Sequence, residues 1–208
     1  MKDDIRRDAR RTGFNRRDFL KGSGAAAAAT ALSQSSGLLE ASPESGSRVI
    51  GPGVMEMTLN VNGQDHDVQA ETRTTLLEVL RNQLKLTGAK PVATDASVGG
   101  STIWIDGRLA SAGSTLAVEC GGKKIRTVES LGGDSPDAVP QAFVNNDAQQ
   151  CGFCTPGFVV AVRAFLDKNP NATEDQIRRG LNGNLCRCGT YANVIEAALE
   201  VVKGGPRG

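Results

Sequence analysis

Histidine is almost missing from this chain, with His66 alone in 208 residues. A metal cage or general base built from imidazole is therefore excluded as an organising principle. His66 itself sits in the polar stretch Asn62–Asp67 and reads as an exposed turn histidine. Neither charge sign is in excess, since 24 Lys and Arg stand against 23 Asp and Glu. That balance carries no polyelectrolyte signature and excludes nucleic acid as a partner. Aromatic residues make up only 4% of the chain. The one weakly apolar run, Gly22 to Ala31, is too short to cross a bilayer, which takes about 20 residues. Cysteine is absent from the first 119 residues, and then five appear: Cys120, Cys151, Cys154, Cys186 and Cys188.

The N-terminus reads as an address. Arg6, Arg7, Arg10, Arg11, Arg16, Arg17 and Lys21 crowd its first 21 residues. Asn15-Arg-Arg-Asp-Phe-Leu-Lys21 is a twin-arginine pattern followed by an alanine-dominated run. Ala29-Thr-Ala31 and Leu39-Glu-Ala41 are candidate cleavage ends. Basic region, short apolar region and small-residue end together predict an export signal handled by the twin-arginine translocation machinery, and so a periplasmic location. That pathway moves folded proteins, which suits a cofactor inserted before export. The Ser-, Gly- and Pro-rich stretch from Ser42 to Gly53 closes a signal-and-linker segment, 1–53.

Two folded segments are expected after it, 54–131 and 132–208. In the first, Met55, Met57, Leu59 and Val61 alternate with polar residues as in a half-buried strand. Asn62-Gly63 signals a hairpin turn to a second strand over Asp65–Ala70. Thr75-Leu-Leu-Glu78 is a capping box opening a helix through Leu84, with Gly88 past its end. Thr102–Ile105, Leu116–Val118 and Lys124–Val128 read as further strands, giving an α+β fold. The second segment reads as four short helices. The first is marked by Val139, Ala142 and Phe143, and the second by Pro156, Phe158, Val162, Phe165 and Leu166. The third starts at the Thr173–Gln176 capping box, and the fourth carries Val194, Ile195, Ala198, Leu199 and Val202.

The chemistry lies between these helices. Cys151-Gly-Phe-Cys154 and Cys186-Arg-Cys188, separated by 31 residues, form two close pairs of soft ligands. A dithiol redox pair explains only two of the four, and disulfides are possible in an exported chain. A Cys₄ zinc site is reasonable, although C-x-C is tighter than the usual zinc spacing. A [2Fe–2S] cluster needs two thiolates per iron, which two pairs supply. Gly152, Gly157, Gly183 and Gly189 would let backbone approach such a core. Cys120 lies outside both pairs and reads as a small buried hydrophobe.

Gln150-Cys-Gly-Phe-Cys-Thr-Pro-Gly157 with Gly183-Asn-Leu-Cys-Arg-Cys-Gly-Thr-Tyr191 resembles the iron–sulfur subunit of the xanthine dehydrogenase/aldehyde oxidase family of molybdenum hydroxylases. Thr75–Arg81, Leu86–Lys90 and Ile105-Asp-Gly107 extend the resemblance, which runs from about Met55 to Val202. It implies a β-grasp ferredoxin-like domain followed by a four-helix [2Fe–2S] domain. It further implies that Cys151, Cys154, Cys186 and Cys188 ligate the cluster nearest a molybdenum cofactor carried by a molybdopterin-binding large subunit. By the same resemblance Gln150 contacts the pterin, and Cys188 carries the sulfur closest to it.

One departure stands out. The family's first domain holds a second cluster on a C-x₄-C-x₂-C…C pattern. Here those slots hold Ala93, Val98, Ser101 and Gly113, none of them a thiolate. The expectation is a cluster-free first domain, with Thr94–Gly100 mobile or locally collapsed, and a single [2Fe–2S] centre per chain. The function expected is electron transfer from a partner that oxidises aldehydes or N-heterocycles. A FAD subunit or a cytochrome c would be the acceptor. The alternative is a structural or export subunit with an interrupted electron path.

Overall fold

A computed structural model describes residues 51–93 and 95–204. The twin-arginine pattern, nearly all of the linker, and Thr94 lie outside the described residues. The described residues belong to one compact unit with two apolar clusters.

The first cluster is built on a hairpin. Strands β1 (Met55–Val61) and β2 (Gln64–Ala70) pair antiparallel from Met55–Ala70 to Val61–Gln64. Asn62 and Gly63, at φ of 53° and 82°, supply the left-handed turn that their residue types favour. The Asn62 amide then reaches Thr127, donating to its hydroxyl at 2.9 Å and accepting from its N–H at 2.8 Å. Three more strands, β3 (Thr102–Ile105), β4 (Arg108–Ser111) and β5 (Lys124–Arg126), complete a sheet of order β2-β1-β5-β3-β4. Only the β1–β5 pairing is parallel. The Thr75 capping box starts α1 (Leu76–Glu78), whose side chains Leu76 and Leu77 are buried with Val79 and Leu80. They meet Leu59, Val61, Val68, Ile103 and Ile125 in one cluster. Each such fully buried aliphatic side chain is worth roughly 1.5–3 kcal/mol.

Four expectations need correction here. The helix does not run regularly to Leu84, because its second turn, Val79–Gln83, widens to π geometry and closes with Leu84 N–H on the Val79 carbonyl. Leu116–Val118 is no strand: Ala117–Cys120 forms a 3₁₀ turn that tucks Ala117 and Cys120 under the sheet. The last strand stops at Arg126, and Val128–Leu131 is another 3₁₀ turn. His66 lies within β2 opposite Leu59, half-buried, rather than in the turn. Strand β4 was missed because Arg108–Ser111 lacks apolar alternation; it is placed by pairing with β3.

The second cluster gathers four helices: α2 (Ala138–Asn145), α3 (Thr155–Lys168), α4 (Glu174–Gly180) and α5 (Tyr191–Val202). Asp137 caps α2 by accepting from Val139 N–H at 2.8 Å, and its carboxylate also lies 3.5 Å from Arg163 on α3. The amides of Asn145 and Asn146 both donate to the Glu200 carboxylate, tying α2 to α5. One sheet residue joins this cluster: Trp104 of β3, 4% exposed, with the Arg126 guanidinium 4.9 Å from its ring centroid.

Cys120 has no solvent exposure, and its thiol donates to the Leu116 carbonyl at 3.6 Å. Burial raises the pKa of that thiol, as suits a packing residue. Replacing Cys120 by Ala should cost about 1–2 kcal/mol of stability and leave iron per chain unchanged. Iron lost from a folded Cys120→Ala chain would contradict the packing role.

Candidate metal centre

Cys151 lies in the loop between α2 and α3, and Cys154 immediately precedes the first turn of α3, which is set by Pro156. Cys186 and Cys188 lie in the loop between α4 and α5, so both motifs open onto one end of the helical layer. Cys151 and Cys188 are exposed, Cys154 and Cys186 partly covered, and all four are free thiols. Among the described residues, no three His, Cys, Asp or Glu side chains gather as a ready single-ion site. The thiols instead influence one another across the loops, Cys154 with Cys186 and Cys151 with Cys188.

The environment distinguishes the sulfurs. Burial, followed by the hydrogen bond with Cys186, pushes the Cys154 thiol up to about 12. For Cys186 burial acts the same way but is outweighed. Hydrogen bonds from the Thr190 side chain and backbone, and from Cys154, bring it down to about 7. Cys188 takes a backbone hydrogen bond from Cys151 that favours its thiolate, yet the adjoining Cys151 thiol leaves it above the usual value. Thr190 Oγ1 is 3.3 Å from Cys186 Sγ, and Cys186 N–H donates to the Tyr191 hydroxyl at 2.7 Å. The Tyr191 ring meets Phe158 edge-on at 5.8 Å, anchoring that loop to the helical core.

Thr155, the residue after Cys154, has a buried hydroxyl with no hydrogen-bond partner. Buried donors are rarely left so, and one beside a cysteine ligand position fits an acceptor that arrives with a metal–sulfur group. The donor set, four thiols in two pairs beside an unsatisfied hydroxyl, thus fits a [2Fe–2S] core. Gly152 and Gly189 follow Cys151 and Cys188 at φ of 83° and 81°, letting the chain turn at each. Gly157 has a packing role besides the one expected. It is packed against another loop, and a Cβ there would overlap the Gly99 carbonyl oxygen.

The four slots in the first domain do not fit a cluster. Ser101 is buried, its hydroxyl 2.9 Å from that of Ser111, and it accepts from Gly113 N–H at 3.3 Å. The only ligand-type atom in the slots is therefore engaged. The space between them is closed: a Cβ on Gly113 would lie 3.1 Å from that of Ala96, itself held at φ 58°. Asp95 accepts from the N–H and hydroxyl of Ser97, and Lys90 N–H donates to the Gly100 carbonyl. Asp95 to Gly100 is thus an ordered turn held by local hydrogen bonds.

With that geometry established, similarity places the chain. Residues 127–199 match the model of a [2Fe–2S] binding domain, and residues 13–33 match a twin-arginine translocation pathway signal sequence. The chain is 38% identical over 209 residues to the aldehyde oxidoreductase iron–sulfur-binding subunit of Escherichia coli (strain K12), covering 92% of this chain and 89% of that one. It is 39% identical over 146 residues to the nicotine 6-hydroxylase small subunit of Paenarthrobacter nicotinovorans, covering 70% of this chain and 88% of that one. Among solved structures, a chain of quinoline 2-oxidoreductase from Pseudomonas putida 86 aligns with a TM-score of 0.67 at 34% identity, over 74% of this chain and 99% of that one. The chain belongs to the iron–sulfur subunits of the xanthine dehydrogenase/aldehyde oxidase family of molybdenum hydroxylases. It is a non-catalytic electron-transfer subunit of an oxidoreductase complex, and it works with a larger partner.

Sequence reasoning missed Thr155 and Asn184. Thr155 stood inside the recognised motif, but its missing partner is visible only in three dimensions. Asn184 carried no local signal, because its partners are more than 80 residues away.

In cluster-free chain at pH 8, Cys186 is mostly thiolate and Cys154 mostly thiol, given values of about 7 and about 12. Only thiolate alkylates, so iodoacetamide should label Cys186 about tenfold faster or more. Peptide mapping that finds Cys154 labelled as fast contradicts the assigned environments.

Proposed function

We propose that Cys151, Cys154, Cys186 and Cys188 hold one [2Fe–2S] cluster and that it is the only redox centre of this chain. The cross-loop pairing carries this reading: Cys151 with Cys188 would serve one iron, and Cys154 with Cys186 the other. When bound, the cluster supplies reversible one-electron storage. The chain's own residues do the rest. The buried, unpartnered Thr155 hydroxyl would donate to the bound group, the Tyr191 hydroxyl fixes the Cys186 backbone, and exposed Phe153 and Leu185 offer apolar surface that a partner can cover to exclude water.

Electrons enter from a molybdenum cofactor on the large subunit, where aldehydes or N-heterocycles are oxidised. Gln150 and Cys188, both exposed, are assigned from their motif as the pterin contact and the sulfur nearest it. The first domain, 54–131, acts without a cluster beside the cluster domain, 132–208. Current therefore leaves from the one centre directly, to a FAD subunit or a cytochrome c docking near it. The twin-arginine translocation machinery delivers the folded chain to the periplasm.

The complex with its large subunit should contain about two iron and two acid-labile sulfide per copy of this chain. Four of each would overturn the single-cluster reading. A second expectation concerns potential. Hydrogen bonds to sulfur stabilise the reduced, more negative state, so Thr155→Val should lower the midpoint potential while Thr155→Ser keeps it. An unchanged potential in the valine variant would show that the Thr155 hydroxyl does not face the cluster.

A further inference from the structure

The collapsed loop of the first domain has contacts that its own fold does not need. The Val98 carbonyl accepts from Leu185 N–H at 3.1 Å. The Gly99 carbonyl accepts from the Asn184 side-chain amide at 3.0 Å, and also from the N–H and hydroxyl of Thr102, at 3.3 Å and 2.7 Å. Asn184 is only 6% exposed and is the one buried polar side chain contributed by the Cys186–Cys188 loop. The same carbonyl meets the first turn of α3, which follows Cys154, where Gly157 leaves no room for a side chain. Gly99 is itself enclosed: at φ 73°, a Cβ on it would come within 2.5 Å of Asn184 and 2.8 Å of the Gly183 carbonyl. The Cys186–Cys188 loop and the first turn of the helix that follows Cys154 are therefore both seated on one dipeptide, Val98-Gly99.

We propose that the vacated loop is a brace for the remaining centre, with Asn184 the positioning residue that holds the Cys186–Cys188 loop at its geometry. This rests on the single-cluster reading and adds to it a use for the cluster-free domain. The physical logic is local. A side-chain amide two residues before Cys186, buried and bonded to a fixed carbonyl, limits how far that loop can move away from Cys151 and Cys154. Alanine at 184 removes the donor but leaves Gly99 its two Thr102 bonds, so the first domain keeps its fold while the cysteine loop loses a tether.

The test uses the full chain purified with its large subunit. Asn184→Ala should retain two iron by analysis yet release them to a ferrous-iron chelator several-fold faster than wild type. The electron paramagnetic resonance g-values of the reduced cluster should shift. Asn184→Ser should behave alike and serves where the alanine variant is poorly recovered. Gly99→Ala, in the other domain, should reproduce the effect. Ile177→Val, which loosens the buried core behind the loops, is the control and should lower thermal stability without changing g-values or iron release. Wild-type spectra and release rates in the Asn184 variants overturn the brace, as does an equal change in the Ile177→Val control. Four iron in the wild-type complex would instead overturn the single-cluster reading beneath it.

Discussion

The cysteine end of this chain depends on a backbone junction. One carbonyl, that of Gly99, receives an amide from the loop before Cys186 and lies against the helix that starts after Cys154. Neither loop belongs to regular structure, and loops so placed drift unless something outside them is fixed. The fixing element is the first domain. Its sheet is packed against Leu76, Leu77 and Leu80, and Trp104 joins it to the helical cluster. Remove the junction and the four thiols are still present, but the Cys186–Cys188 loop is held only by its own contacts, through Thr190 and Tyr191.

This gives a physical reason for a ferredoxin-like domain to persist without ligands. Cluster binding contributes folding energy, and its loss must be offset. The offset is visible in the slots themselves. Ser101 bonds to Ser111, Ala96 fills the space facing Gly113, and Asp95 ties down Ser97. Ala96 adopts a left-handed conformation that costs an alanine about 1–2 kcal/mol, and it is held there by its surroundings. The loop is thus an ordered piece of the fold in its own right. On the proposed single-cluster reading the electron path is shortened, since the domain that would pass electrons onward offers no thiolate in its slots.

Much of this was legible in the chain. The hairpin was, because Asn62-Gly63 states its turn chemistry and β1 alternates cleanly. The capping boxes at Thr75 and Thr173 were, because both residues of each box are local. The cysteine motifs were legible from spacing and neighbours. What was not legible depends on distant partners. Arg108–Ser111 becomes a strand only because β3 lies beside it, and Leu116–Val118 looked like a strand because a buried 3₁₀ turn is equally apolar. The crossing of thiol pairs between loops is invisible in a sequence where the close pairs lie within each motif. Gly157 reads as freedom near a cluster, and its second use, as a seat for the Gly99 carbonyl, is visible only in three dimensions.

The most direct test is the electron paramagnetic resonance spectrum of the complex reduced by its own substrate. A single centre predicts one iron–sulfur S = 1/2 signal, integrating to about one spin per copy of this chain and showing no cluster–cluster splitting at low temperature. Two signals, or splitting between neighbouring clusters, would contradict a chain whose current runs only through Cys151, Cys154, Cys186 and Cys188.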